Sequence, residues 1–214
     1  SADLGEGVVL HAVASAGGGA VAVLLDVEGT RQVRVLRAGR PSRTVPIADD
    51  AARVRAVNEV GSTVVVQRPN DVLAASTWAD GTEKMVLVDA GALGRLTYGV
   101  ALSADGTRLA FSAMRAECAD RPARAEVCPV ALYGVDLDGA STDPRPIDAP
   151  EDGVSYDPQF TEPDGSAVLF LTAIDDGSDA CRNLVDACAY GLRRTPFAGG
   201  AAEDVMSDAT FGRF

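Results

Sequence analysis

The chain has 214 residues, 47% of them apolar and 5% aromatic, enough for one or two domains with a sizeable core. Its formal net charge is −12, Lys84 is the one lysine, and no Lys/Arg cluster offers the basic surface that nucleic acid requires. The same charge disfavours an anionic membrane surface, and no apolar run approaches the roughly 18–20 residues of a spanning helix.

Abundant Gly, Pro and Val, with short apolar runs between turns, predict an all-β chain. The first set of strands is Gly7–Ser15, Ala20–Val27, Arg31–Arg37 and a weaker Arg43–Ile47. Val21–Leu25 is continuously apolar, as expected of a strand buried on both faces. The Gly-rich run Ala16–Gly19 joins two strands, whereas a phosphate loop needs a following helix N-terminus, so it reads as a turn. His11, the sole histidine, lies in an apolar strand. A general base needs a nucleophile within hydrogen-bond reach, and no G-x-S-x-G elbow occurs, so His11 reads as a core or sheet-edge residue. Asp49 and Asp50 read as surface turn acids.

The second set covers Val54–Asn58, Thr63–Gln67, Val72–Trp78 and Lys84–Asp89, with an Asp80-Gly81 turn. Over 62–89 two assignments compete: Val72–Trp78 as an extra strand in a long hairpin, or a sheet that begins later. Trp78 is either a packing aromatic or an exposed binding residue.

The third set runs Tyr98–Leu102, then Ser103-Ala104-Asp105-Gly106, Thr107–Ala113, a loop bracketed by Cys118 and Cys128, Val130–Asp136, Asp138-Gly139 and Asp143–Asp148. The fourth repeats that order: Ser155–Thr161, Glu162-Pro163-Asp164-Gly165, Ser166–Thr172, a loop bracketed by Cys181 and Cys188, Ala189–Pro196, Gly199-Gly200 and Glu203–Met206. Asp105 and Asp164 are 59 positions apart, as are Phe111 and Phe170. Asp-Gly is a strong hairpin signal, and two at matched offsets before a Phe mark a repeat. That role accounts for Asp105 and Asp164 without making them a catalytic carboxylate pair. A unit of four antiparallel strands recurring about four times is the pattern of a β-propeller, with approximate blades 7–47, 52–97, 98–148 and 153–206.

The four cysteines form no C-x-x-C, and with one histidine a zinc site is poorly supported. As two local disulfides, each would close a short loop and stabilise by roughly 2–3 kcal/mol in the chain-entropy model. Such bridges imply the periplasm, the cell surface or the exterior; buried free thiols are the alternative. The bracketed loops, 119–127 and 182–187, are the best candidates for binding elements, with simple stabilisation of long hairpins as the alternative. The acidic run Asp175, Asp176 and Asp179 is a calcium candidate by its oxygens but lacks the EF-hand order. Glu151 and Asp152 read as turn acids.

At Leu102-Ser103-Ala104-Asp105-Gly106 with Leu109-Ala110-Phe111, the chain resembles the TolB-like (WD-like) β-propeller repeat, P-x-W-S-P-D-G-x-x-I/L-A-F. Pro158-Gln159-Phe160 with Pro163-Asp164-Gly165 and Val168-Leu169-Phe170 is similar. Val100, Leu102 and Ala104 depart from the repeat, and the first two sets hardly show it. Asp208-Ala209-Thr210-Phe211 resembles Asp157-Pro158-Gln159-Phe160, which makes 207–214 a candidate start of a further blade and the chain an incomplete ring. A last strand closing a small ring is the alternative. The resemblance implies a noncatalytic exported scaffold without cofactor, binding another protein or an envelope component. Two other readings stay open: the propeller portion of a larger, prolyl-oligopeptidase-like hydrolase, and a structural surface repeat.

Overall fold

Sixteen strands form four antiparallel sheets of four, each following chain order. The structure is a computed structural model that describes residues 7–45, 50–79, 82–115, 129–139, 141–149, 155–162, 164–174 and 189–209. The first sheet holds β1 (Val8–Ala14), β2 (Ala20–Val27), β3 (Thr30–Arg37) and β4 (Arg40–Val45). The second holds β5 (Arg53–Val57), β6 (Thr63–Gln67), β7 (Val72–Ala79) and β8 (Thr82–Asp89). The third holds β9 (Gly94–Leu102), β10 (Arg108–Arg115), β11 (Val130–Asp136) and β12 (Arg145–Asp148). The fourth holds β13 (Ser155–Phe160), β14 (Ala167–Ile174), β15 (Ala189–Pro196) and β16 (Glu203–Ala209). These are the blades of a partial β-propeller.

The competing assignments over 62–89 are resolved. Val72–Ala79 is the third strand of the second sheet, pairing with β6 from Thr63↔Thr77 and with β8 from Val72↔Asp89. A 3₁₀ turn at Pro69–Asp71, with Asn70 and Asp71 at φ 61° and 57°, reverses the chain before it. Several strand limits differ from expectation, among them that of β4, which begins at Arg40 rather than Arg43. Strand β9 opens at Gly94 rather than Tyr98. Ser207–Ala209 continue β16, with Ala209 opposite Tyr190, and so do not begin a further strand. Cys118, Cys128, Cys181, Cys188, the acidic run at 175–179, Asp80-Gly81 and residues 210–214 lie outside the described residues.

Contacts divide the chain into two units. One comprises Ser1–Asp89, Leu102–Leu109 and Asp136–Asp143; the other comprises Ala90–Ala101, Ala110–Val135 and Pro144–Phe214. In the first, small and branched side chains from two sheets form one cluster: Ala20, Ala22, Leu24, Val33 and Val35 pack with Val54, Val64 and Val66. Their spacing of two along β2 and β3 is the strand period. In the second unit, Ala110, Leu132 and Ile147 pack with Val168, Phe170 and Phe197. Leu109, Ala110 and Phe111 are all fully buried, and the Phe111 ring stacks on Tyr133 at 5.7 Å.

One turn recurs between the first and second strands of every sheet. Its closing bonds run from Ser15 N–H to Ala20 O, Asn58 to Thr63, Ser103 to Arg108 and Thr161 to Ala167, at 2.9–3.3 Å. Each contains a glycine in the left-handed region: Gly18, Gly61, Gly106 and Gly165, at φ 65–77°. In three of them the first side chain caps the turn: Ser15 Oγ accepts from Ala20 N–H, Asn58 Oδ1 from Thr63 N–H and Ser103 Oγ from Arg108 N–H. The repeat that the sequence displays in the third and fourth sets is therefore present in all four sheets.

In the third sheet's turn, Asp105 accepts from Ser103 Oγ at 2.6 Å and from Thr107 N–H and Oγ1 at 3.0 Å each. Burial raises its pKa, but the Ser103 and Thr107 hydrogen bonds and the nearby Arg108 outweigh burial and hold the carboxyl below its ordinary value. A carboxyl depressed on folding adds stability that is complete above the unfolded value of about 3.9 and is lost as pH falls through the lower folded value. Asp105→Ala is accordingly expected to lower stability to urea at pH 7 and to leave a smaller further loss below about pH 4 than in the parent chain.

Candidate ligand site on the first blade

In the second, third and fourth sheets the end of the third strand is held by the sheet's own turn. Trp78, Leu137 and Phe197 donate their backbone N–H to Ser62, Thr107 and Ser166, the residues that follow the turn glycines. Their side chains plug the space at the turn end: Leu137 and Phe197 are buried, and Trp78 packs on the first unit's core. A cation from the fourth strand of the preceding sheet meets each plug. The Arg43 guanidinium lies 3.4 Å from the Trp78 ring centroid, and Arg145 lies 4.4 Å from that of Phe197 while donating to its carbonyl. Lys84 Nζ donates to Leu137 O at 2.8 Å. Trp78 is thus a packing aromatic, covered by Arg43.

The first sheet breaks this pattern. Register pairs Ala20 with Arg37 as it pairs Thr63 with Thr77 and Ala167 with Pro196, so Ala38 stands where the other sheets carry Trp78 and Phe197. Where that plug would sit there is an open depression of about 510 Å³, between Gly18–Val21 and Leu36–Arg40. Val21 and Leu36 face each other across β2 and β3, one step out of phase with the core residues Ala20 and Val35, and are half-buried. Arg37 and Arg40 stand at its edge, directly opposite one another in the β3–β4 register.

Cationic groups crowd this hairpin. Burial, then the neighbouring Arg37 cation, pushes the Arg43 guanidinium below its ordinary pKa, with Glu83 opposing. Arg37 Nε and Arg43 Nε and Nη2 are buried without hydrogen-bond partners among the described residues. On the adjacent turn, the Glu59 carboxylate accepts from Gly17 and Gly19 N–H at 2.9 Å each, a nest of backbone donors around an anion. Glu59→Ala is expected to lower unfolding free energy by about 1 kcal/mol, well under the value for two buried charged bonds because one partner is exposed; urea unfolding measures it.

The residues singled out in the sequence do not converge on this site. Asp105, Gly106 and Phe111, and Asp164, Gly165 and Phe170, belong to turns and core: Thr107 N–H donates to Asp105 as Ser166 N–H donates to Asp164. His11 lies on β1 opposite Leu24, at a bulge, and its Nδ1 is buried without a partner among the described residues. Asp50 pairs with Arg68 at 2.6 Å. Among the described residues no three His, Cys, Asp or Glu side chains gather as metal ligands, and no helix is long and apolar enough to cross a membrane. The basic hairpin was not expected. Its signal is an arginine at every third position, Arg31, Arg34, Arg37, Arg40 and Arg43.

No protein-family model and no curated protein matches the chain. Solved structures do. A TolB from Agrobacterium tumefaciens is 18% identical with a TM-score of 0.51, over 91% of this chain and 64% of that one. An oligogalacturonate lyase in complex with manganese is 15% identical with a TM-score of 0.61, over 91% and 51%. The Pyrococcus horikoshii acylaminoacyl peptidase is 12% identical with a TM-score of 0.54, over 88% and 31%. The chain therefore spans between about a third and two thirds of these relatives' lengths. With the four blades and their shared turn, these likenesses give the chain the fold of a TolB-like β-propeller.

Proposed function

We propose that this chain is a noncatalytic, exported propeller scaffold that binds another protein. The observation that carries the reading is the depression on the first blade, where Ala38 stands in the position that a plug fills in the other sheets and the exposed Arg40 lies at the rim. Aliphatic groups and arginines suit binding. An arginine stays protonated in proteins and so serves poorly as a proton acceptor. Export is supported by the two close cysteine pairs and by the TolB-like fold.

Immobilised protein is expected to retain a partner from an envelope extract of the source organism, which then binds the purified chain saturably. Recovery of no partner would favour the structural-repeat reading. Mass spectrometry under non-reducing conditions is expected to show two bridges in protein recovered from an oxidising compartment; four free thiols there would remove the support for export. A second reading, the propeller portion of a larger hydrolase, draws on the likeness to the acylaminoacyl peptidase, of which the chain spans 31%. A G-x-S-x-G motif in the reading frame beyond Phe214 would favour it over the scaffold.

A further inference from the structure

We propose that the free edge of strand β8 takes up an extended segment of a partner protein as a fifth strand of the second sheet, a segment with apolar side chains at alternate positions and Lys or Arg at both ends. This surface is separate from the first-blade depression and goes beyond the reading above. Sheet edges invite pairing with other chains, and bulges, proline and short strands blunt them. Strands β1, β4, β5, β12, β13 and β16 each shift register against their neighbour. Strands β4, β12 and β13 also carry Pro41, Pro146 and Pro158. Strand β8 has none of these devices. It pairs with β7 without a break from Val72↔Asp89 to Ala79↔Thr82, contains no proline and ends its sheet. No backbone group pairs with its free side among the described residues.

The unbroken register fixes what this edge presents. Glu83, Met85, Leu87 and Asp89 share one face of the sheet with Ala74 and Ser76, and all four are exposed, Met85 by 48% and Leu87 by 51%. On the opposite face Val86 and Val88 are buried, and Lys84 donates to Leu137 O. The edge is therefore an apolar pair between two carboxylates. Glu83 accepts from Ser76 Oγ at 2.6 Å, and Arg43, over the Trp78 ring opposite Glu83, offsets part of the charge at that end. With 31 acidic residues against 19 basic ones in the chain, the surroundings as a whole are negative. An added strand with apolar groups opposite Met85 and Leu87 and cations opposite Glu83 and Asp89 matches each position. A second copy of β8 does not. The two-fold antiparallel register that lays Met85 opposite Leu87 also lays Glu83 opposite Asp89, and the neighbouring registers set a carboxylate opposite an apolar side chain.

The probe is the fluorescein-labelled peptide Lys-Thr-Val-Thr-Val-Thr-Lys, titrated by anisotropy at low salt against the intact chain. Saturable binding is expected, weakening as salt screens the end charges. The same peptide with Glu at both ends is expected to bind about tenfold or more weakly, as is the Lys peptide to Leu87→Lys, a change at an exposed position. In an added strand alternate residues turn their N–H toward the edge and away from it. N-methylation of one alternate set of amides is therefore expected to abolish binding, and of the other set to spare it. Circular dichroism checks the fold, and if Leu87→Lys fails to fold, Leu87→Ser and the methylated peptides decide. Equal binding of the Lys and Glu peptides, unchanged affinity in the Leu87 variants, or tolerance of both methylation patterns overturns the proposal. So does a concentration-dependent dimer abolished by Leu87→Lys, which would make a second copy the occupant. The two readings fail separately. A partner captured from extract alongside a peptide that does not bind removes the β8 edge and leaves the scaffold standing. Patterned peptide binding with no partner in the extract does the reverse.

Discussion

Phe197→Ala is expected to lower the unfolding free energy by about 3–5 kcal/mol, the range for deleting a large buried aromatic. Phe197 is 2% exposed and packs with Ala110, Leu132, Ile147, Val168 and Phe170. Its ring lies 5.7 Å from that of Phe160, and Arg145 covers its face. The neighbours belong to strands that cannot close over a lost ring without breaking ladder hydrogen bonds, so a cavity remains. Gly134 lies against the same ring: a Cβ there would be 2.7 Å from Phe197 Cε2. Phe197→Leu is the informative control, because Leu137 fills the equivalent position in the third sheet; it should cost less than half as much. Urea titration followed by circular dichroism measures both, with an unchanged slope showing that only stability has moved. A loss below about 1 kcal/mol for the alanine variant would mean that the plug contributes little packing.

Gly106→Ala is expected to cost about 3–4 kcal/mol, and Gly18→Ala about 1, although both occupy the same turn position. Gly106 has φ +77° and Gly18 has φ +76°, so the backbone penalty for a side chain in the left-handed region is shared. The surroundings differ. A Cβ on Gly106 would lie 2.7 Å from Asn58 Nδ2 and 2.8 Å from Thr63 Cβ, whereas Gly18 has nothing within 4 Å. Asn58 has little freedom to yield. Its amide donates to Ser62 Oγ at 3.0 Å and Ala104 O at 3.2 Å, and its Oδ1 accepts from Thr63 N–H at 2.8 Å. The same urea experiment separates the two terms. Equal losses in both variants would show that Gly106 is retained for its backbone angle alone.

The third and fourth blades are plain in the sequence because Asp-Gly and Phe are rare enough together to mark a register. The first two use the same turn with different residues. What the turn requires is a glycine at positive φ and a capping side chain three residues earlier; Ser15/Gly18 and Asn58/Gly61 meet that without any Asp-Gly. The plug is harder still to find, since Trp78, Leu137 and Phe197 share only size and register. The arginines of the first hairpin are visible as a run of threes, a spacing that matches neither the strand period nor any obvious motif. They meet only because the chain reverses at Ala38-Gly39 and lays Arg40 opposite Arg37. The cysteine pairs stay a matter of sequence, as they lie outside the described residues.

The contact between fourth strand and plug has a polarity. Each junction has a cationic side on the earlier sheet and a receiving side on the later one, so the sheets resemble couplings that mate in one direction only. That property bears on recombination. Excising Arg53–Asp89 as one module would remove a receiving side together with the cation that follows it, leaving Arg43 available to the carbonyl that Lys84 now contacts. Cutting within a module would leave a cation or a plug without its counterpart. Gain and loss of whole blades, counted from one first strand to the next, is the change this chemistry tolerates best.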